Sequence, residues 1–170
     1  MNIWELEVWL HVLAGITWIG LLYYFNFVAV PAVAEATADK DGPGPAAISK
    51  YVAPRALLWF RWSALATWVT GAAALETMAP AGSSGIVLAF TLQAPLTIIG
   101  IGAWLGTIML FNVWVLIWPN QKKLLGFVQA TDDEKAKAKK VAFLASRTNT
   151  LLSIPMLMCM TAQGHGSLPF

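Results

Sequence analysis

Charge is what this sequence has least of. Only 12% of its 170 residues are Asp, Glu, Lys or Arg, against about 25% in soluble domains. So few charges cannot coat a water-facing surface, which excludes an ordinary soluble globular domain. The net charge is +2, and the basic residues sit beside long apolar runs rather than forming a broad basic face, so no nucleic-acid partner is expected. Cysteine is nearly absent. Cys159 stands alone inside an apolar run, so there is no internal disulfide, no Cys-x-x-Cys-His attachment and no zinc spacing. It reads as a small buried apolar residue. Most acids lie in loops or at helix ends. No nucleophile–base set, phosphate loop or paired carboxylates stand out, and catalytic residues are not identifiable.

What the sequence has in plenty is apolar run length. A bilayer core needs about 20 apolar residues in a helix, because every backbone amide must be satisfied internally. Four stretches meet that need, at about 8–31, 57–78, 95–118 and 142–163. The first carries no charge. The second contains Arg61 and is closed by Glu76. The third starts near Pro95, a tolerated first-turn position, with 86–94 as an interfacial lead-in. The fourth carries Arg147, and a kink is expected at Pro155. The expected fold is all-α: an integral membrane bundle of four transmembrane helices, forming one domain over 1–170. An Ala-x-Ala-like stretch at 31–34 follows the first run, but Glu5 and Glu7 precede it where a signal peptide needs basic residues. The run also exceeds the roughly 15-residue limit of a signal core, so a retained first helix is expected.

The linkers differ in kind. Residues 34–55 contain the breaker run 41–45 (DGPGP), and 79–85 is short and uncharged. Residues 121–141 are basic, and Thr131, Asp132, Asp133 and Glu134 read as a capping box with acids in the first turn. From there one helix is expected to project through water into the fourth span. All 11 lysines and arginines fall in the first or third linker or in the flanking turns of spans two and four. Since such residues favour the cytoplasmic side, both termini are expected outside the cytoplasm.

Overlaying the halves reveals a repeat at an offset of 86: Trp18, Gly20, Phe25 and Asn26 fall on Trp104, Gly106, Phe111 and Asn112, and Arg61 falls on Arg147. Each unit is a two-helix hairpin, so the expected symmetry is a pseudo-two-fold along the membrane normal. Asparagine and arginine within spans are rare. Asn26 and Arg61 each lie about 7 Å inside the same interface, and Asn112 and Arg147 repeat them, with Thr148 and Asn149 adjacent. Two readings compete. Guanidinium forks and amides converge on a cytoplasm-facing pocket for an anion, head group or quinone oxygen; or the arginines snorkel to lipid phosphates while the asparagines bond across helices.

His11 is the only histidine within a span. Ala14, Gly15 and Trp18 follow it at helical spacing, and the small residues leave room for a flat macrocycle beside a neutral imidazole. A b-type haem is the cofactor reading, with haem iron at His11 the sole metal site; His165, emerging on the same side, is the candidate second ligand. The bland reading is a histidine hydrogen-bonded within the bundle. Nine tryptophans are explained by interfacial anchoring.

The runs His11–Gly20 (HVLAGITWIG), Phe111–Lys123 (FNVWVLIWPNQKK) and Ala145–Met156 (ASRTNTLLSIPM) resemble the membrane domain of bacterial membrane-bound urate oxidases. The resemblance implies a family in which a multi-helix membrane domain precedes a cytochrome c domain that receives electrons, and this shorter chain is expected to lack that domain. The first run also looks like the histidine-bearing first helix of small haem-binding membrane proteins of the protoporphyrinogen oxidase and copper-resistance type. The resemblance implies a redox setting, multi-pass in a bacterial inner membrane with periplasmic termini. The leading expectation is a membrane subunit or anchor of a larger respiratory or electron-transfer assembly, holding haem b, quinone or lipid. Its partners would be the lipid bilayer and other membrane subunits or a cytochrome c. The alternatives are an enzyme of the urate-oxidase type passing electrons to a separate cytochrome c, and a small transporter suggested by the parallel repeat.

Overall fold

The computed structural model describes residues 2–165; the side chain of His165 lies outside the described residues. Everything regular among them is helical, with no strand. Four rods follow one another. The first is α1 (Ile3–Tyr23), a π-helical stretch (Tyr24–Ala29) and α2 (Val30–Ala38). The second is a π-helical turn (Ile48–Val52) leading into α3 (Ala53–Met78). After the short α4 (Gly85–Phe90), the third rod runs through α5 (Thr97–Phe111), a π-helical stretch (Asn112–Ile117) and α6 (Trp118–Leu124). The fourth is α7 (Asp132–His165), which continues through Pro155. The rods Ile3–Ala38 and Thr97–Leu124 are long and apolar enough to cross a membrane. The first rod packs most extensively on α3, and α5 on α7.

Local chemistry sets the helix ends. Asn2 accepts from the Glu5 amide at 2.9 Å while the Glu5 carboxylate accepts from the Asn2 amide at 3.0 Å, a reciprocal cap on α1. Thr131 and Glu134 do the same for α7. The stretch 86–94, expected as an interfacial lead-in, is partly helical. Glu76, at the end of α3, accepts from the Ser84 hydroxyl (2.7 Å) and the Gly85 and Ile86 amides (3.1 and 3.2 Å). It thereby satisfies the free amides of α4.

Each π-helical stretch is followed by one residue and then a proline: Val30 before Pro31, Ala53 before Pro54, Trp118 before Pro119. In each case that residue donates its amide five residues back, to Phe25, Ile48 and Val113. A proline inside a helix lacks an amide and its ring crowds the preceding turn. Widening that turn by one residue relieves the crowding while keeping the other bonds.

Apolar side chains face outward as well as inward. The buried polar residues are Asn26, Ser63, Thr67, Asn112, Asn149 and Ser153, while large apolar side chains stand exposed on every rod. Examples are Ile16 and Phe27 on the first, Trp59 and Val69 on the second, Ile108 and Val115 on the third, and Leu151 and Ile154 on the fourth. The core is built on Trp18, Leu22, Phe60, Met109 and Val113.

The two ends of the bundle pack differently. Away from the lysines, glycines let elements touch closely. A Cβ on Gly100 would strike the Ala89 backbone, one on Gly85 the Leu75 backbone, and one on Gly71 the His11 ring. Gly102, four residues before Gly106 on α5, faces Cys159 and Met156 on α7, whereas a Cβ on Gly106 would meet nothing. At the basic end, where the widened turns lie, the rods leave a cavity.

Candidate functional site

The cavity has a volume of about 410 Å³ and is bounded by all four rods. Its walls are Phe25, Leu57, Phe60 and Ile117; Asn26 and Ser146 supply polar groups, and Gln121, Lys139 and Lys140 stand at the basic end. On α7, Lys139, Phe143 and Ser146 share one face at helical spacing. Asn26 reaches the cavity from the widened turn before Pro31. It donates to the Leu22 carbonyl at 2.8 Å and to the Ser146 hydroxyl at 2.7 Å.

The other sequence-nominated residues fall into distinct places. Asn112 donates to the Asn149 side-chain oxygen at 2.8 Å, and Asn149, wholly buried, donates to the Met109 carbonyl at 3.0 Å. This pair locks α5 to α7. Arg61 is half-buried with its guanidinium 3.7 Å above the Trp118 ring, a cation–π contact between α3 and α6. Arg147 is exposed and lies 5.2 Å from the Phe143 ring on its own helix, and Thr148 beside it is exposed. Among the described residues no hydrogen bond joins the two arginines. The structure thus brings Asn112 and Asn149 together and places Asn26 at the cavity, while Arg61 and Arg147 take separate seams.

His11 sits near the opposite end. Its Nδ1 lies 2.8 Å from the Thr67 carbonyl oxygen, and a carbonyl can only accept, so the proton belongs on Nδ1 and Nε2 is left as an acceptor. Gly71 makes room for the ring. His165, the nominated second ligand, is outside the described side chains. Among the described residues no group of three or more His, Cys, Asp or Glu could hold a metal ion.

Sequence reasoning missed Ser146, Lys139, Lys140, Gln121 and Trp118. The signal for Ser146 and Lys139 was their one-face spacing with Phe143 on α7, next to Arg147.

A larger, shallower groove of about 550 Å³ lies outside the bundle between the first two rods, lined by Thr17, Gly20, Tyr51, Arg55 and Trp59. It is a perimeter feature.

No curated protein and no solved structure matches the chain. The family described as urate oxidase N-terminal matches residues 83–168, just over half of the sequence, comprising α4 to α7 and their connections. The chain belongs to the urate oxidase N-terminal family.

Proposed function

We propose that the protein is a four-span integral membrane subunit of a bacterial inner membrane, docking against a larger electron-transfer assembly. The observation that carries this reading is the apolar perimeter. Exposed large apolar side chains stand on all four rods around an interior that is apolar apart from a few asparagines, serines and threonines, no buried residue among those described being charged. α3 and α7 also carry exposed large apolar side chains, Trp59, Trp62 and Val69 on α3 and Leu144, Leu151 and Ile154 on α7, although their ends are charged. In water such a surface would aggregate; in hydrocarbon it is the expected one. The lysines and arginines gathered at one end favour that end as cytoplasmic, with both termini periplasmic. A pair of tandem hairpins is supported by the packing of the first rod on α3 and of α5 on α7. Matched buried asparagines and matched pre-proline widening in rods one and three support it further. Purification in a mild detergent tests the subunit role: co-purifying membrane proteins or a cytochrome c are expected, and a lone monomer counts against it.

A second reading is favoured by His11. An imidazole whose Nδ1–H is held by a backbone carbonyl presents Nε2 in a fixed direction, the arrangement typical of a metal-bound histidine. We propose that His11 would hold the iron of a b-type haem, a group that would supply one-electron transfer when bound. Thr67 orients the ring, and the missing side chain of Gly71 lets the ring lie against α3. The purified, dithionite-reduced protein should show a Soret band that His11→Ala removes; a band unchanged in that variant rejects the assignment. Urate oxidation, the activity named in the family's description, is the enzymatic rival. Full urate turnover by an Arg61→Ala, Arg147→Ala double variant would deny the arginines a part in it.

A further inference from the structure

We propose that the cavity at the basic end binds an amphiphile with an anionic head, the head held by Lys139 and Lys140 and the apolar body entering between Phe25, Phe60 and Ile117. Three observations converge on that chemistry. First, the cavity of about 410 Å³ lies within the size range of ligand sites, and its lining is apolar except at its polar patch and its rim. Second, the rim lysines are uncompensated. Lys135 pairs with Asp132 at 3.7 Å and Lys123 with Glu134 at 3.9 Å, but no carboxylate pairs with Lys139 or Lys140 among the described residues. Two cations at the mouth of an apolar chamber attract an anion whose remainder is apolar. Third, the polar patch has spare capacity. Asn26 spends both amide hydrogens on Leu22 and Ser146, so the Ser146 hydroxyl, having accepted, keeps its own hydrogen for an oxygen of the guest, such as an ester or carboxyl oxygen.

The site also explains why the rods widen here. The extra residue in the turn before Pro31 swings Asn26 into the space between the first and fourth rods, and the turn before Pro119 ends at Ile117 on the cavity wall. An ordinary α-helical register would aim different residues inward.

The shared chemistry has two sources, an anionic phospholipid of the adjoining leaflet or a free fatty acid. Both are tested by titrating the detergent-solubilised full chain, followed by native mass spectrometry. The probes are a phosphatidylglycerol, the matching phosphatidylcholine, and dodecanoate. One saturable equivalent of an anionic probe is expected, with phosphatidylcholine weaker. Lys139→Gln with Lys140→Gln should weaken binding roughly tenfold or more, while Lys135→Gln with Lys137→Gln, on the same helix but outside the cavity, should leave it unchanged. Phosphatidylglycerol binding without dodecanoate assigns the bilayer source; dodecanoate binding at equal or greater strength assigns the free one. Equal losses in both lysine pairs, or no loss in either, overturn the proposal. Because these lysines are exposed, the variants keep the fold, and Ser146→Val gives a second readout by removing the hydroxyl alone. The cavity exists whichever way the chain is inserted, so failure here leaves the membrane reading intact.

Discussion

The two ends of this bundle solve opposite problems with opposite residues. At the end bearing His11, glycines remove side chains where elements meet: Gly85 on the Leu75 backbone, Gly100 on the Ala89 backbone, Gly71 against the His11 ring. Polar side chains tie the elements further, as where the Thr77 hydroxyl donates to Glu7 at 3.0 Å. At the basic end prolines widen three helices and the rods part around a cavity. One end is closed by taking atoms away, the other opened by taking amides away. A membrane helix tolerates both because the freed or crowded backbone finds compensation within the bundle.

Breaking the closed end should cost most. Gly100→Val forces branched carbons into the Ala89 backbone, and a loss of about 3 kcal/mol is expected from overpacking, read as a fall in thermal midpoint in detergent. An unshifted midpoint would show that α4 and α5 do not meet as described. Midway along the bundle, Asn149→Leu strips Asn112 of its acceptor and Met109 of a donor, and should cost about 1–2 kcal/mol. Asn26→Leu, whose second bond is to its own helix, should cost nearer 0.6 kcal/mol. Equal losses would contradict the different partnering of these two asparagines.

The open end responds in the other sense. Pro119→Ala removes the cause of the widened turn, so residues 113–118 should return to an ordinary ladder. Their amides should exchange more slowly, with a gain of up to about 1 kcal/mol, and occupancy of the cavity should fall. Unaltered exchange over 113–118 would mean that something other than Pro119 holds the turn open. The smallest effect belongs to the cap of α7. The Thr131 amide, then Lys123, hold the Glu134 carboxyl below its usual range. A depressed folded-state value means the cap stabilises α7 fully above the ordinary glutamate range and loses that contribution as acidification passes through the folded value. Protection of the first turn of α7 should therefore fade only on strong acidification. In Glu134→Gln, whose amide does not titrate, that pH dependence should vanish.

The helical character, the scarcity of charge and the Thr131 cap were all legible in the sequence, because each depends on local composition or spacing. The widened turns were not, since residues 24–29 and 112–117 read as ordinary apolar helix. Their signal lay one residue downstream, in Pro31 and Pro119. The repeat identified Asn26 and Asn112 as special, and both are buried. It did not foresee that Trp18 is buried while its counterpart Trp104 is exposed and donates to the Phe90 carbonyl at 3.0 Å. Burial is decided by which rods surround a position, and α4 has no counterpart in the first half. For the same reason Arg61 finds Trp118 while Arg147 stays on the perimeter.

If lipid surrounds four spans, as proposed, the lysine-bearing linkers and the linker between spans two and three lie on opposite faces of the membrane. In a Cys159→Ala background, single cysteines at Ser83 and Lys137 can be labelled with a membrane-impermeant thiol reagent in intact cells. Labelling is expected at position 83, and none at 137 until the membrane is permeabilised. Labelling of both positions without permeabilisation, or of 137 alone, would contradict that arrangement.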